Sequence, residues 1–161
     1  MKNAFLLPFL LLLCLYRPAA AQQRIAASFQ EAGGTSYSLQ KLDSLYQSAV
    51  HDDPSKAVFT GQNRQKLEAA YQQLVQEASR YLAQQGFRWS KPVRCFNRFY
   101  FSADGSIDYY LFHLNPQEVS AAQQAEYKKI MDQFIQTHRL QITGPQKFAQ
   151  CSPVVWAAAT E

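Results

Sequence analysis

The sequence predicts an α+β domain in which helices cover a small antiparallel sheet on one side, in the element order α-α-β-β-α-β. Three segments carry apolar residues at intervals of three and four, which is the spacing of an amphipathic helix. Two adjacent runs between Val93 and Leu114 instead alternate with a period of two, as does a last run from Phe148 to Trp156. We therefore expect a sheet made of a hairpin over residues 93–114 and a C-terminal strand.

The first 21 residues have the three-part layout of a secretory signal. Lys2 precedes an apolar run from Ala4 to Tyr16, and Ala19-Ala20-Ala21 follows it. The run is too short to cross a bilayer, because a membrane-spanning helix needs about 20 residues. We therefore expect residues 1–21 to be a cleaved signal peptide, and the mature chain to start near Gln22 and to work in the periplasm or outside the cell.

After the signal, residues 22–36 are polar and contain Gly33-Gly34, which predicts a flexible leader before a single domain over residues 37–161. The formal net charge of the whole chain is +4, and the loss of Lys2 and Arg17 with the signal lowers it by two. Such a balanced charge favours neither nucleic acid nor stable membrane insertion after cleavage.

Helical spacing predicts three helices. The first contains Leu39, Leu42, Leu45, Tyr46 and Val50, and Asp52-Asp53-Pro54 ends it because proline disfavours helical geometry at the preceding residue. The longest begins at Thr60 or Asn63, ends at Gly86 and has an apolar face of Leu67, Ala70, Tyr71, Leu74, Val75, Ala78 and Leu82. The third begins at Ser120 and carries Ala121, Ala125, Ile130, Met131, Phe134 and Ile135.

The hairpin is predicted around Ala103-Asp104-Gly105-Ser106, where Asp-Gly suits a two-residue type I′ turn. In that register Cys95 faces Leu114, Phe99 faces Tyr110 and Phe101 faces Asp108. One face of the hairpin is then the expected core: Val93, Cys95, Phe99, Phe101, Tyr110, Phe112 and Leu114. The other face holds Arg94, Phe96, Arg98, Tyr100, Ile107, Tyr109, Leu111 and His113.

The second face of the hairpin is the candidate binding surface, because arginine and aromatic residues carry much of the binding energy at interfaces. Its proposed contacts are Arg94, Phe96, Arg98, Tyr100, Tyr109 and His113. Two alternatives remain open from the sequence. The arginine stems can lie over the rings and merely solubilise an open sheet face, or another helix can cover that face.

The two cysteines outside the signal, Cys95 and Cys151, predict a disulfide, since an exported chain meets an oxidising environment. The alternative is two buried, unlinked thiols. A free Cys95 would permit a small hydrolase or transferase that uses Cys95 with His113 or His138. A further alternative is a small apolar ligand held between a helix and the sheet.

No cofactor and no metal is predicted. His51-Asp52-Asp53 sets an imidazole beside two carboxylates, but the spacing of metal ligands is absent, and a solvated turn is the favoured interpretation.

Residues 62–156 resemble the C-terminal domain of TonB-type energy transducers. The resemblance depends on the strand Arg98-Phe99-Tyr100-Phe101, the turn Ala103-Asp104-Gly105-Ser106-Ile107, and the helix through Tyr127, Ile130 and Phe134. It implies a helix, hairpin, helix and final strand, in a periplasmic domain that binds extended segments of outer-membrane receptors by strand addition. The expected docking edge lies at Phe148 to Trp156, and the family's Pro-rich spacer and retained membrane helix are absent.

We therefore expect an exported, non-enzymatic domain that binds a protein or peptide of the cell envelope.

Overall fold

A computed structural model describes residues 23–158. The expected signal peptide, residues 1–21, lies outside the described residues. In chain order the elements are β1 (Ile25–Ser28), α1 (Phe29–Ala32), α2 (Leu39–Asp43), β2 (Gln47–Ser48), a 3-10 turn (Pro54–Lys56), α3 (Gly61–Gln84), β3 (Val93–Phe101), β4 (Ile107–Leu114), α4 (Ala121–Thr137) and β5 (Phe148–Trp156). The predicted α+β class is confirmed.

The sheet has five strands in the order β1-β4-β3-β5-β2. β3 is antiparallel to both of its neighbours, whereas the two short strands, β1 and β2, run parallel to β4 and β5. The sequence predicted only three of these strands. Within the described residues, no helix is long and apolar enough to cross a membrane.

The two long helices pack on one face of the sheet, called here the inner face. α3 begins directly after Thr60 and ends before Gly86, whose φ of +80° suits glycine. Its buried residues are those of the predicted stripe: Leu67, Tyr71, Leu74, Ala78 and Leu82. In α4 the Ser120 side chain accepts a hydrogen bond from the Gln123 N–H and so caps the helix as predicted.

The hairpin register is confirmed over most of its length and differs at the turn. Cys95 pairs with Leu114 and Phe99 pairs with Tyr110 as predicted, but Phe101 pairs with Ile107. The extra residue, Asp108, forms a β-bulge. The bulge turns Ile107 into the core, where it is completely buried, rather than onto the second face.

The turn itself is not type I′. Gly105 has a φ of +86°, and no other residue from Ser102 to Ser106 has a positive φ. The Gly105 N–H donates to the Ser102 carbonyl, and the Ser102 N–H donates to the Ser106 carbonyl. This is a type I turn followed by a glycine bulge, which is the usual three-residue hairpin loop.

The segment predicted as a flexible leader contains β1 and α1. Ala26 and Ala27 are buried on opposite faces of the sheet, and the Ala26 N–H donates to Asp132 Oδ1 of α4. Ser28 and Glu31 form a reciprocal capping box at the start of α1. Within the described residues, regular structure is therefore present from Ile25, well before the predicted domain start at residue 37.

The first predicted helix is also shorter than its periodicity suggested. α2 ends at Asp43, and the chain then joins the sheet as β2. The Ala49 N–H donates to the Ala149 carbonyl at 2.8 Å, so strand pairing replaces the last turns of the expected helix.

Residues 29–46, which follow β1, lie across the second sheet face, called here the outer face. They form a small second core on it, made of Ala27, Ala32, Leu42, Tyr46, Tyr100, Leu111 and Ala149. Helices therefore cover both faces of the sheet, in contrast to the predicted one-sided cover.

Candidate docking edge and outer face

Half of the predicted Arg and aromatic surface is occupied by the chain itself. Arg98 Nη2 lies 2.6 Å from Asp43 Oδ1, and the Tyr100 hydroxyl donates to the same oxygen at 2.8 Å. Burial, with the bond to Asp43, raises the pKa of Tyr100. Tyr109 stacks on Tyr37, with ring centroids 6.3 Å apart. These contacts hold residues 37–46 on the sheet, so Arg98, Tyr100 and Tyr109 have a structural role.

The other half of that surface is exposed. Phe96 and Val155 have 37 % and 61 % of their surface accessible, and they are two of the most exposed large apolar residues in the described chain. Together with Arg94, His113 and Pro153 they line a shallow cavity of about 470 Å³. We call these five residues the outer patch. Apolar groups of this size on a protein surface favour contact with a partner.

The outer patch adjoins an incompletely paired edge of the sheet. β2 covers only the first two residues of β5, where the Ala149 carbonyl accepts its bond from Ala49. Backbone groups alternate along a strand, so the N–H and C=O groups of Cys151 and Val155 and the C=O group of Pro153 face the same free side as those of Ala149.

Pro153 has no N–H, and its placement on the free side costs the sheet no ladder hydrogen bond. The Gln150 side chain donates to the Cys151 carbonyl at 3.2 Å and occupies one acceptor of the edge. In the part of the chain that the structure describes, the N–H groups of Cys151 and Val155 and the carbonyls of Pro153 and Val155 have no backbone partner and are open to a partner strand. We call Cys151, Pro153 and Val155 the free edge.

A groove of about 440 Å³ runs between α3 and the free edge. Its α3 wall consists of Leu67, Glu68, Tyr71, Gln72, Val75 and Gln76. Ser152 and Val154 line the β5 side, and the Tyr71 hydroxyl lies 2.9 Å from Ser152 Oγ. Burial raises the pKa of Tyr71, so its hydroxyl stays neutral and can hydrogen-bond. Side chains of an added strand would alternate between this groove and the outer patch.

The predicted Cys95–Cys151 disulfide is not formed. Cys95 is buried on the inner face, Cys151 is exposed on the outer face, and both are free thiols. In the register of β3 and β5, Cys95 pairs with Val154 and Arg98 pairs with Cys151. Cys151 and Val154 are three residues apart and project from opposite faces, so the sheet separates the two sulfurs.

Cys95 belongs to a buried polar cluster. Its Sγ donates to Asn97 Oδ1 at 3.1 Å, and the Tyr110 hydroxyl bonds both Asn97 Oδ1 at 2.5 Å and the Tyr127 hydroxyl at 2.6 Å. Burial raises the pKa of the Cys95 thiol to about 11.

Neither histidine named in the enzyme hypothesis is brought to Cys95. His113 pairs with Phe96 and so projects from the outer face, away from the Cys95 thiol. His138 stacks on Phe134 at the end of α4, with ring centroids 4.1 Å apart.

A second polar cluster was not foreseen from the sequence. The bulge directs Asp108 to the outer face, where Tyr46 donates to Oδ2 at 2.8 Å and Ser102 donates to the same oxygen at 2.8 Å. Lys147 Nζ lies 3.7 Å from this carboxylate. The sequence does contain a sign of this cluster, because Asp108 lies inside an aromatic strand and a carboxylate is costly to bury without hydrogen-bond partners.

From Gln23 to Ala158, no group of three or more His, Cys, Asp or Glu side chains is arranged to hold a metal ion. Comparisons with protein-family models, curated proteins and solved structures find no match for this chain.

Proposed function

We propose that this chain is an exported, non-enzymatic domain that binds a protein or peptide of the cell envelope. The partner contributes an extended segment, which pairs with the free edge of β5. The observation that carries the proposal is that the backbone groups of Cys151, Pro153 and Val155 on the free side have no strand partner within residues 23–158, beside an open groove. An unpaired strand edge is the surface used in strand addition, where main-chain hydrogen bonds give affinity and alternate side chains give specificity.

The limits of the edge suit a short partner segment. β2 closes one end of it at Ala149, and Pro153 removes one donor from its middle. These features disfavour edge-to-edge strand pairing between copies of the chain, which would lead to aggregation. Natural proteins commonly protect their edge strands in such ways. A partner segment supported by the groove and the outer patch gains side-chain contacts that a bare edge lacks.

The resemblance to the C-terminal domain of TonB-type transducers supports the same proposal. α3, β3, β4, α4 and β5 follow the helix, hairpin, helix and strand order of that domain. The segment expected to dock a partner, Phe148 to Trp156, is β5 itself.

The edge is tested by removing one backbone donor. Val155→Pro deletes the N–H that faces the free side, and Val155→Thr keeps it together with a β-branched side chain. We expect photo-crosslinking from position 157, placed just beyond the strand, to trap an envelope protein in cells that express the wild type or Val155→Thr. Loss of that partner with Val155→Pro, at unchanged circular dichroism, would support strand addition. Equal trapping by both variants would contradict it.

Export is tested separately by intact mass. The protein recovered from the envelope fraction of a bacterial host should begin at or near Gln22. A chain that keeps residues 1–21 would overturn the proposed location.

A further inference from the structure

A second cavity follows the groove along α3 and β5. The groove is lined on its α3 side by Leu67, Tyr71 and Val75 and by the residue after each of them. Ser79 and Leu82, further along α3, line a separate cavity of about 320 Å³ at the end of β5. From residue 67 to residue 83 the helix rises about 24 Å at 1.5 Å per residue, a length that about seven extended residues span. We call the groove and this second cavity together the seam.

Two indoles form the far end of the seam. Trp89 and Trp156 line the second cavity, and both are at least nine-tenths buried. Nε1 of Trp89 finds no hydrogen-bond acceptor in the described part of the chain. A buried donor without a partner destabilises the protein, so an acceptor that reaches this position is favoured.

A positive charge lies on the rim of the same cavity. Arg88 lines it, and its Nη1 donates to the carbonyls of Ala83 and Phe87. Those two bonds hold the guanidinium beside the cavity, and its Nε and Nη2 donors have no partner among the described residues. At the opposite end of the seam the charged lining residue is Glu68, which pairs with Arg64 at 3.0 Å. Glu68 is therefore compensated by Arg64, whereas the charge on the rim of the second cavity is positive.

We propose that the second cavity is an anchor site for a carboxylate carried by the docked segment on, or next to, an apolar or aromatic residue. The apolar part fills the space between the indoles, and the carboxylate accepts from Trp89 Nε1 and Arg88. The inference rests on the proposed function, because it assigns the chemistry of the segment that pairs with the free edge. A C-terminal carboxylate and an Asp or Glu side chain supply the same chemistry.

A C-terminal carboxylate at this end has a consequence for strand direction. β5 runs toward the cavity, from Phe148 to Trp156. A segment whose last residue lies there runs parallel to β5, which is the direction that β2 already takes along the same edge.

The test starts from a random library of seven-residue peptides displayed at the carboxyl end of a carrier, with Val155→Pro as the negative selection. A selected peptide is then synthesised as the free acid and as the amide, and again with any Asp or Glu changed to Asn or Gln. The two tryptophans of the chain both line the cavity, so their emission reports binding there. We expect a shift in emission and an affinity at least about tenfold weaker when the relevant carboxylate is neutralised.

Variants identify the side chains that donate hydrogen bonds to the carboxylate. Arg88→Gln and Trp89→Phe should each bring the affinities for the charged and neutral peptides within about threefold of each other, whereas Lys91→Gln, a nearby exposed control, should leave the preference intact. If only the peptide amide loses affinity, the bound carboxylate is the C-terminal one. If only the Asn or Gln peptide loses affinity, the bound carboxylate is that of an Asp or Glu side chain.

Two results would overturn the anchor site. Peptides that bind wild type but not Val155→Pro, with no preference for a carboxylate and no change in tryptophan emission, would leave edge pairing standing and remove the anchor. Failure to select any peptide over the Val155→Pro background, or a Val155→Pro-sensitive dimer at the concentrations used, would remove the proposed function together with the anchor.

Discussion

Tyr46 donates a 2.8 Å hydrogen bond to the buried carboxylate of Asp108, from a position 62 residues earlier in the chain. Asp108 is only 3 % exposed and reaches this hydroxyl because the bulge in β4 turns it to the outer face. The bond therefore links the N-terminal segment to the middle of the sheet. It also explains how a carboxylate is accommodated inside an otherwise aromatic strand.

Tyr46→Phe should destabilise the fold by about 1–3 kcal/mol, because it removes a hydrogen bond to a buried charged group. Tyr37→Phe is the matched control, since Tyr37 lies in the same segment and contacts the sheet mainly by stacking on Tyr109. We expect the control to change stability by less than about 0.5 kcal/mol. Urea unfolding measures both. Equal losses for the two variants would mean that the Asp108 bond contributes no more than ring packing.

Gly105→Ala should be among the most damaging single changes in the hairpin. A Cβ at this position would lie 2.3 Å from the Leu140 carbonyl oxygen, and the φ of +86° disfavours any side chain. Gly34→Ala is the control, because Gly34 has a similar φ of +74° but open space around its Cβ position.

The comparison separates backbone strain from steric overlap. The control should cost about 1 kcal/mol for the left-handed conformation alone. We expect Gly105→Ala to cost at least about 2 kcal/mol more, since the backbone of Leu140 must shift. Thermal unfolding of the two variants measures the difference, and similar melting temperatures would show that the loop after α4 yields easily.

The elements with strong periodicity could be predicted from the sequence. Leu67, Tyr71 and Leu74 repeat at helical intervals along α3, and the aromatic-rich runs of β3 and β4 flank an Asp-Gly turn, so their type and most of their register follow from local pattern. β1 has no such signal, because Ala26 and Ala27 are too small to mark a face. Its place in the sheet depends on tertiary contacts with β4 and α4.

In the candidate site, too, the features set by local pattern could be predicted, and those set by distant segments could not. Arg94, Phe96 and His113 lie on the exposed outer face as predicted from alternation. Cover over Arg98 and Tyr100 could not be predicted, because it comes from Asp43 and Tyr46 in a segment distant in sequence. The cysteine pairing failed for a related reason. Which face Cys151 occupies depends on the register of β5 against β3, which no local pattern determines.

The thiols should differ strongly in reactivity. Cys151 is exposed on the free edge, whereas Cys95 is buried with a pKa of about 11, so at pH 8 its thiolate fraction and its access are both small. A thiol reagent such as DTNB should label one site quickly in the native protein and the second only on unfolding. Cys151→Ser should abolish the fast phase and Cys95→Ser should leave it unchanged. Protein with both thiols blocked until reduction would restore the disulfide hypothesis.

Glu31 should contribute a small stability that is lost in mild acid. Partial burial acts to raise the pKa of Glu31, but its bonds with Lys128 and Ser28 outweigh burial and hold the pKa below its ordinary value. A group whose pKa is lowered by folding stabilises the protein above its unfolded pKa, and this stabilisation disappears as the pH falls through the folded pKa.

The Lys128 and Glu31 pair is largely exposed, so screening limits its contribution to less than about 1 kcal/mol. Glu31→Gln should therefore lower stability slightly at pH 6 and match the wild type near pH 3, with urea unfolding from pH 3 to pH 6 as the measurement. Glu126→Gln, an exposed change in the same helix as Lys128, should show no such convergence. A constant difference between Glu31→Gln and wild type across this range would mean that α1 is held by packing of Ala32 and not by the charge of its cap.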